Sequence, residues 1–437
     1  MKLAVCLFTA AAVVATVEAR QKPGSDAYWP QWRGPSLNGV APGDAPLEWS
    51  DTTNVSWKVE IPGRGHSSPI VWGDTLYLTT AIPTGKPAAA PSGEGRSGGG
   101  AGVEEHHFVV MAIDRLTGKT RWQQTATTAT PHEGHHRVYG SFASNNPATD
   151  GQRIYAFFGS RGLYAYDLNG KPLWKRDFGQ RMKMRLQFGE GTALVLHEGK
   201  LVTVFDHQED GLLAVTDAAT GKEIWSVPRR EGSSWSTPLV VSHQGKKQIV
   251  VTATPKAMAY DLDTGRLVWE VSGIGLNPIP MPVQQGDVVY VMSGYRDPKL
   301  MAVRLGRTGD LTGTDAVAWQ SIRGLSYTPS PVLHDGVLYV LTDNGQLSAL
   351  NAATGEPYYQ QQRLPQPYNF KASPVAVNGR LYLASEEGDV IVVKVGRTYK
   401  VLGTNTLANQ SFIATPAVAG GDLYLRSRTH LFRISRQ

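Results

Sequence analysis

The sequence predicts an all-β fold, an eight-bladed β-propeller of four-stranded antiparallel blades. Three observations carry the prediction. A four-strand meander recurs along the chain, its last copy is one strand short, and a lone strand near the N-terminus has the missing strand's pattern. The most legible copy spans residues 326–359, SYTPSPVLHDGVLYVLTDNGQLSALNAATGEPYY. Its β-branched and aromatic runs are separated by His334-Asp335-Gly336, Asp343-Asn344-Gly345 and Thr354-Gly355, and Asn-Gly is a strong hairpin signal. One such meander buries little alone and needs neighbours.

From the N-terminus, residues 1–19 read as a signal peptide: Lys2, an apolar run over 3–17, and Val17-Glu18-Ala19 for cleavage. The run is too short for a transmembrane helix, which takes about 20 residues. Cys6, the single cysteine, lies inside this leader and not at its cleavage site, so no lipid anchor is expected. The mature chain is then cysteine-free and must be held by packing, although exported proteins often use disulfides. A periplasmic or secreted monomer is the expectation. Residues 20–45 form an N-terminal arm with Trp29, Trp32 and the run WRGP; exposed tryptophans are costly, so the arm should pack on the body. Residues 46–437 form the propeller, beginning with the alternating strand NVSWKVE at 54–60.

The copies follow in order. The first covers 67–122 and carries a Gly-, Ala- and Ser-rich insertion at about 83–103. The second covers 144–174; the third ends at Trp225 and departs most from the pattern, which leaves seven blades as the alternative. The fourth covers 236–269, the fifth ends at Trp319, the sixth is the stretch quoted above, the seventh starts at Ser373 and the eighth at Thr415. The eighth has three strands. The strand around Trp57 supplies its fourth and closes the circle, which removes exposed sheet edges. Many first strands open on Ser/Thr-x-Pro or Ser-Pro; an innermost strand paired on one side only loses no ladder bond to proline. In the recurring A-x-D-x-x-T-G-K-x-x-W, Asp caps a turn, Thr-Gly makes it, and Trp packs between blades.

Composition bounds the partners. With 41% hydrophobic and 18% charged residues the chain is globular and not disordered, and 47 glycines and 27 prolines suit a fold of many turns. The formal charge of +6 comes without a basic block interleaved with aromatics, so nucleic acid is not an expected partner. No Ser/His/Asp elbow, phosphate-binding loop or dinucleotide fingerprint is present.

At these repeats the chain resembles the pyrroloquinoline quinone (PQQ) type propeller, over essentially all of the mature chain. Quinoprotein alcohol dehydrogenases share the repeat, as does the non-catalytic propeller subunit of the outer-membrane β-barrel assembly machinery. So do exported bacterial propellers that open on a run similar to Trp29 to Pro35; the SWSTP run at Ser234 and the GDLTGTDAVAW run at Gly309 are similar to these. The resemblance implies an exported, non-catalytic scaffold that binds a protein or small ligand, in cell-envelope assembly, and requires no cofactor. The alternative it implies is an oxidoreductase using PQQ and Ca²⁺ on an alcohol or sugar. Such enzymes commonly stack the quinone between a tryptophan and a vicinal cysteine pair. This mature chain has no cysteine, and no motif places the calcium ligands; Trp235 is the candidate stacking residue.

Propeller geometry sorts the loops. Turns between strands one and two, and three and four, share one face. Connections between strands two and three, and between blades, share the other, and the unusual residues gather there. His135, His136 and Arg137, Asp206 and His207, Arg229, Arg230 and Trp235 belong to it, as do Tyr295, Arg296, Arg323, Tyr327, Tyr368 and Lys371. They are the candidate ligand- or partner-binding face at the mouth of the central channel. His132, His135 and His136, with Glu133 among them, are also candidate metal ligands by residue type. The string HEGHH lacks the helical spacing of zinc proteases, and solvated loop histidines are the competing reading.

Overall fold

The structure, a computed structural model, describes residues 27–87 and 104–436; the expected leader with Cys6 and most of the 83–103 insertion lie outside the described residues. Eight sheets make the ring, each with four antiparallel strands, and three of them carry a fifth. Blade 6 is representative, with strands Val332–His334, Val337–Leu341, Gln346–Asn351 and Pro357–Arg363. The aberrant third copy is a full blade, Val195–His197, Lys200–Phe205, Gly211–Asp217 and Glu223–Arg229, so the ring has eight blades and not seven. Val55–Glu60 pairs antiparallel with His430–Ile434 and completes blade 8, as the unpaired N-terminal strand predicts. Among the described residues no helix is long and apolar enough to cross a membrane.

Middle strands are buried on both faces because each blade is covered by its two neighbours. All five residues of Val337–Leu341 are buried, and Tyr339, Leu341 and Leu347 of blade 6 share a core with Leu381, Leu383 and Ile391 of blade 7. Outer strands alternate instead, as Val55–Glu60 does, because one edge meets solvent.

The tryptophan consensus is a latch between blades. Trp57, Trp122, Trp174, Trp225 and Trp319 each donate Nε1–H to a carbonyl in the three–four turn of the following blade, at Arg115, Leu168, Ala218, Leu262 and Ala352 (2.9–3.2 Å). Each ring also lies against that turn's glycine. At Gly221, φ is +73° and a Cβ would come 2.6 Å from the Trp174 ring, so the glycine serves both the turn and the close approach. Asp114 caps its turn by accepting from Leu116 N, Thr117 N and Thr117 Oγ1 (2.8–3.0 Å), and Thr220 and Thr264 bind Asp217 and Asp261 alike. Burial works against the Asp114 carboxylate, but these donors and Arg121 outweigh it and hold its pKa at about 2. Trp269 is the exception. It is fully buried, bonds Gln248 of its own blade, and has Gly309–Asp310 paired parallel beside it.

The Ser/Thr-Pro starts have a role beyond tolerating proline. Side chains at or just before these prolines join one blade to the next. Ala193 N donates to Thr237 Oγ1, Ser236 Oγ to Pro280 O, Met281 N to Ser330 Oγ and Ser330 N to Ser373 Oγ (2.9–3.1 Å). Ser373 N then donates to Thr415 Oγ1 (3.2 Å), Thr415 N to Ser68 Oγ (2.9 Å), Ser68 N to Asn146 Oδ1, and Asn145 Nδ2 to Thr192 O (2.7 Å). The result is a belt of hydrogen bonds through all eight blades around the channel.

Not every innermost strand is paired on one side only, as the sequence reading expected. Tyr28–Trp29 pairs antiparallel with the first strand of blade 1, and Val40–Ala41 pairs parallel with that of blade 7. Between them the arm runs round the inside of the channel. Pro30 O accepts from Thr149 N of blade 2, Gln31 Oε1 from Leu196 N of blade 3, and Trp32 packs on the core of blades 3–5. Arg33 is fully buried and donates to Pro331 O of blade 6; burial without a carboxylate brings its pKa down to about 9. Trp29, also fully buried, sits on Gly34.

Candidate functional site

The connections between blades, with those between strands two and three, line a cavity of about 660 Å³ at the channel mouth. Its wall includes the belt residues Ser68, Asn146, Thr237, Ser373 and Thr415, and Trp32 of the arm lines it from the channel side. The two surrounding features, belt and arm, make this a fixed recess on a rigid ring.

Its side chains are held by specific contacts. Trp235 donates Nε1–H to Gly189 O (2.7 Å) and its backbone N–H to Pro278 O (2.9 Å). The rings of Tyr295 and Tyr327 are 5.0 Å apart, and the Arg296 guanidinium lies over Tyr295 at 5.6 Å. Asp343 accepts from Tyr327 N (2.8 Å) and Thr328 N (3.1 Å) and pairs with Lys371 (3.2 Å). Lys371 also reaches Glu386 (3.6 Å) and lies over the Tyr139 ring at 4.5 Å. Glu190 accepts from Ser160 N (2.6 Å) and pairs with Arg161 (3.1 Å). Both carboxylates lining the cavity are thus engaged, whereas Arg185 and Arg296, which also line it, enter no ion pair among the described residues. Their turns are tightly bent, with left-handed φ at Leu186 (54°), Gln187 (54°), Arg296 (40°) and Asp297 (54°). Such non-glycine conformations cost about 1–3 kcal/mol each and persist where surrounding structure fixes them.

His66 is buried in the wall, and its Nε2 has no hydrogen-bond partner among the described residues. Burial, with Arg426, Arg64 and Arg428 nearby, keeps its pKa well below 6.5, so the ring is neutral. The His136 ring stacks on Tyr139 (4.7 Å), and its Nδ1 accepts from Tyr139 N (3.1 Å).

Of the residues the sequence offers for this face, His136, Trp235, Tyr295, Arg296, Tyr327 and Lys371 line the cavity. His135 packs edge-on against Phe142 (4.6 Å) and bonds His136 O (3.0 Å). Arg137 is an exposed rim residue whose carbonyl accepts from Arg64 (3.1 Å). Arg230 pairs with Asp210 (3.1 Å) at the surface, and Arg323 is exposed away from the cavity. Asp206 and Arg229 have fully buried side chains and form a two-bond ion pair (2.6 and 2.9 Å), with Arg229 also donating to the Tyr260 hydroxyl (2.7 Å). They brace the blade from within and present nothing to a ligand. Tyr368 is likewise buried, its hydroxyl donating to Asp389 (2.9 Å), and His207 is buried with Nδ1 facing Lys183 N and Glu209 N (both 3.3 Å).

The candidate His132/His135/His136 metal set does not assemble. His132 Nδ1 faces Arg161 Nη2 (3.0 Å), a donor, so Nε2 carries the proton and donates to Met182 O (2.9 Å). Neither nitrogen is left for a metal, His135 and His136 turn to different partners, and among the described residues no three His, Cys, Asp or Glu are grouped to hold one. The loop histidines are not simply solvated either; each is a structural contact.

Sequence reasoning missed Trp32, His66, Arg185, Glu190 and Asn277, all of which line the cavity. The signal for Arg185 and Glu190 was the long unrepeated connection between blades 2 and 3. His66 sits directly before the Ser-Ser-Pro start of blade 1, where the repeat pattern drew attention to its neighbours.

Comparison with known proteins adds the following. The family described as outer membrane protein assembly factor BamB matches residues 106–214 and 209–437. Outer membrane protein assembly factor BamB of Yersinia pestis is 22% identical over 340 residues, 74% of this chain and 78% of that protein. The crystal structure of BamB from Moraxella catarrhalis aligns with a TM-score of 0.58 at 13% identity, covering 86% of this chain and 98% of that one. Quinohemoprotein alcohol dehydrogenase from Comamonas testosteroni aligns with a TM-score of 0.64 at 12% identity, covering 96% and 82%. At these identities the likeness to the two solved structures shows the shared fold alone.

Proposed function

Because the chain belongs to the family described as outer membrane protein assembly factor BamB, we propose that it is an exported, non-catalytic propeller that binds a protein partner across its loop-rich face, in assembly of the cell envelope. The observation that carries this reading is the character of the cavity and its rim. Tyr139 and Leu186 are 38% and 49% exposed beside Arg185 and Arg296, which enter no ion pair among the described residues, and aromatic residues with arginine over a recess suit a protein interface. An export signal at 1–19, as expected from the sequence, would fit such a role.

The test is photo-crosslinking in the protein's own cell envelope, with a photoreactive phenylalanine at Leu186 or Tyr139. Leu116, exposed in a three–four turn on the opposite face, is the control. Adducts with one protein from the first two positions and none from Leu116 are expected. Equal adducts from all three, or none from Leu186 and Tyr139, would overturn the reading.

A PQQ and Ca²⁺ oxidoreductase is the alternative, favoured by Trp235 in the cavity wall. The residues present do not fit its metal half. Glu190 and Asp343 are already spent on Arg161 and Lys371 and on backbone N–H groups, so neither offers a free carboxylate to calcium.

A further inference from the structure

The cavity also specifies the chemistry of what enters it, provided that this face binds protein. Its charges do not balance. Asp343 and Glu190 are neutralised within the fold, and the remaining charged groups on the lining are the guanidinium groups of Arg185 and Arg296. Further back, Arg64 and Arg426 lie near His66, as does Arg428, which pairs with Glu386 (3.8 Å), and Arg426 is fully buried with its Nη1 on Ser67; burial brings its pKa down to about 9. A recess of this kind favours a carboxylate and disfavours a cation. The rest of the wall is aromatic: Trp235 pinned by its indole N–H, and the Tyr295–Tyr327 pair. Leu186 and Gln187 beside Arg185, and Arg296 itself, are held in the left-handed region, which fixes the backbone from which the two arginines project. Trp32 of the arm also lines the cavity.

The geometry points to a partner segment in which an aromatic side chain stands next to an acidic one, the ring seated among Trp235, Tyr295 and Tyr327 and the carboxylate met by Arg185 and Arg296. The volume suits a few side chains and not a folded element.

Titration calorimetry on the full chain tests this. The probe is a short end-blocked peptide with one Phe beside one Asp in a Gly/Ser background. It is compared with the same peptide carrying Asn for Asp or Ser for Phe, and with two small acids, phenylpropanoate and PQQ. Binding of the Phe–Asp peptide is expected, weakened at least about tenfold by either peptide change and by Arg185→Gln with Arg296→Gln. It is expected to be unchanged by Arg230→Gln, whose partner Asp210 lies at the surface outside the cavity. Melting curves confirm that each variant is folded. Affinity indifferent to Asp→Asn, no affinity for the peptide, or tighter binding of either small acid than of the peptide overturns the proposal. Crosslinked adducts from Leu186 together with absent peptide affinity would remove this inference and leave the protein-binding reading; absence of both would remove both.

Discussion

Glu133 illustrates what a single residue reveals only in three dimensions. In sequence it stands among histidines and invites a metal. In the fold it is buried, both oxygens accept from Met184 N (3.1 Å), and burial, reinforced by nearby Glu190, raises its pKa to about 7 against the pull of Arg161 and Lys183. An unfolded glutamate ionises near 4.5. Its contribution to stability is therefore fully present below the unfolded value and is lost as pH rises through about 7. Thermal melts should show Tm falling between about pH 4.5 and 7 and levelling above that, with Glu133→Gln flattening the fall by roughly 2 °C; identical slopes would refute the assignment. Residue types at this scale misled wherever burial decides function. Asp206, Arg229 and Tyr368 have the chemistry of a binding face, but their partners are inside, and nothing in their spacing says so. Tyr327 and Lys371 were legible because they follow directly from their place in the loop-face connections.

At the scale of elements the repeat was almost fully readable, because a strand period of two recurs along the chain and a Trp at the end of the three–four turn survives in most copies. The role of the Ser/Thr-Pro starts was not, since a hydroxyl that bonds the neighbouring blade has no partner in its own stretch of sequence. Two substitutions separate the devices. Ser373→Ala leaves the buried Ser330 N–H without its acceptor and should cost about 1–3 kcal/mol. Gly355→Ala places a Cβ 2.6 Å from the Trp319 ring at φ +76° and should cost at least as much, about 2 kcal/mol or more, through strain and a displaced latch. Denaturant midpoints measure both; a neutral Gly355→Ala would mean that the Trp latch is loose.

For the whole molecule, ring closure could be inferred by counting strands: a three-strand last copy and an orphan first strand admit few other solutions. The course of the arm could not. It is unrepeated, so no second copy exposes its pattern, and its partners are scattered over the chain. Trp29→Ala removes a fully buried indole that the Gly34 turn packs upon, and a loss of about 3–5 kcal/mol is expected in urea unfolding. A change below about 1 kcal/mol would show that the arm is dispensable to the ring.

The arm also sets a timetable. Residues 28–41 leave the ribosome early, but their pairing strands lie at Ile70–Trp72 and Val375–Val377, and the strand that follows the arm waits for His430–Ile434. During synthesis the front of the chain therefore holds two tryptophans and an arginine whose burial depends on residues still to be made. A nascent chain that stops before the seventh blade lacks the strand on which Val40–Ala41 pairs and the one that Val55–Glu60 completes, so completion of the molecule is registered by its first segment.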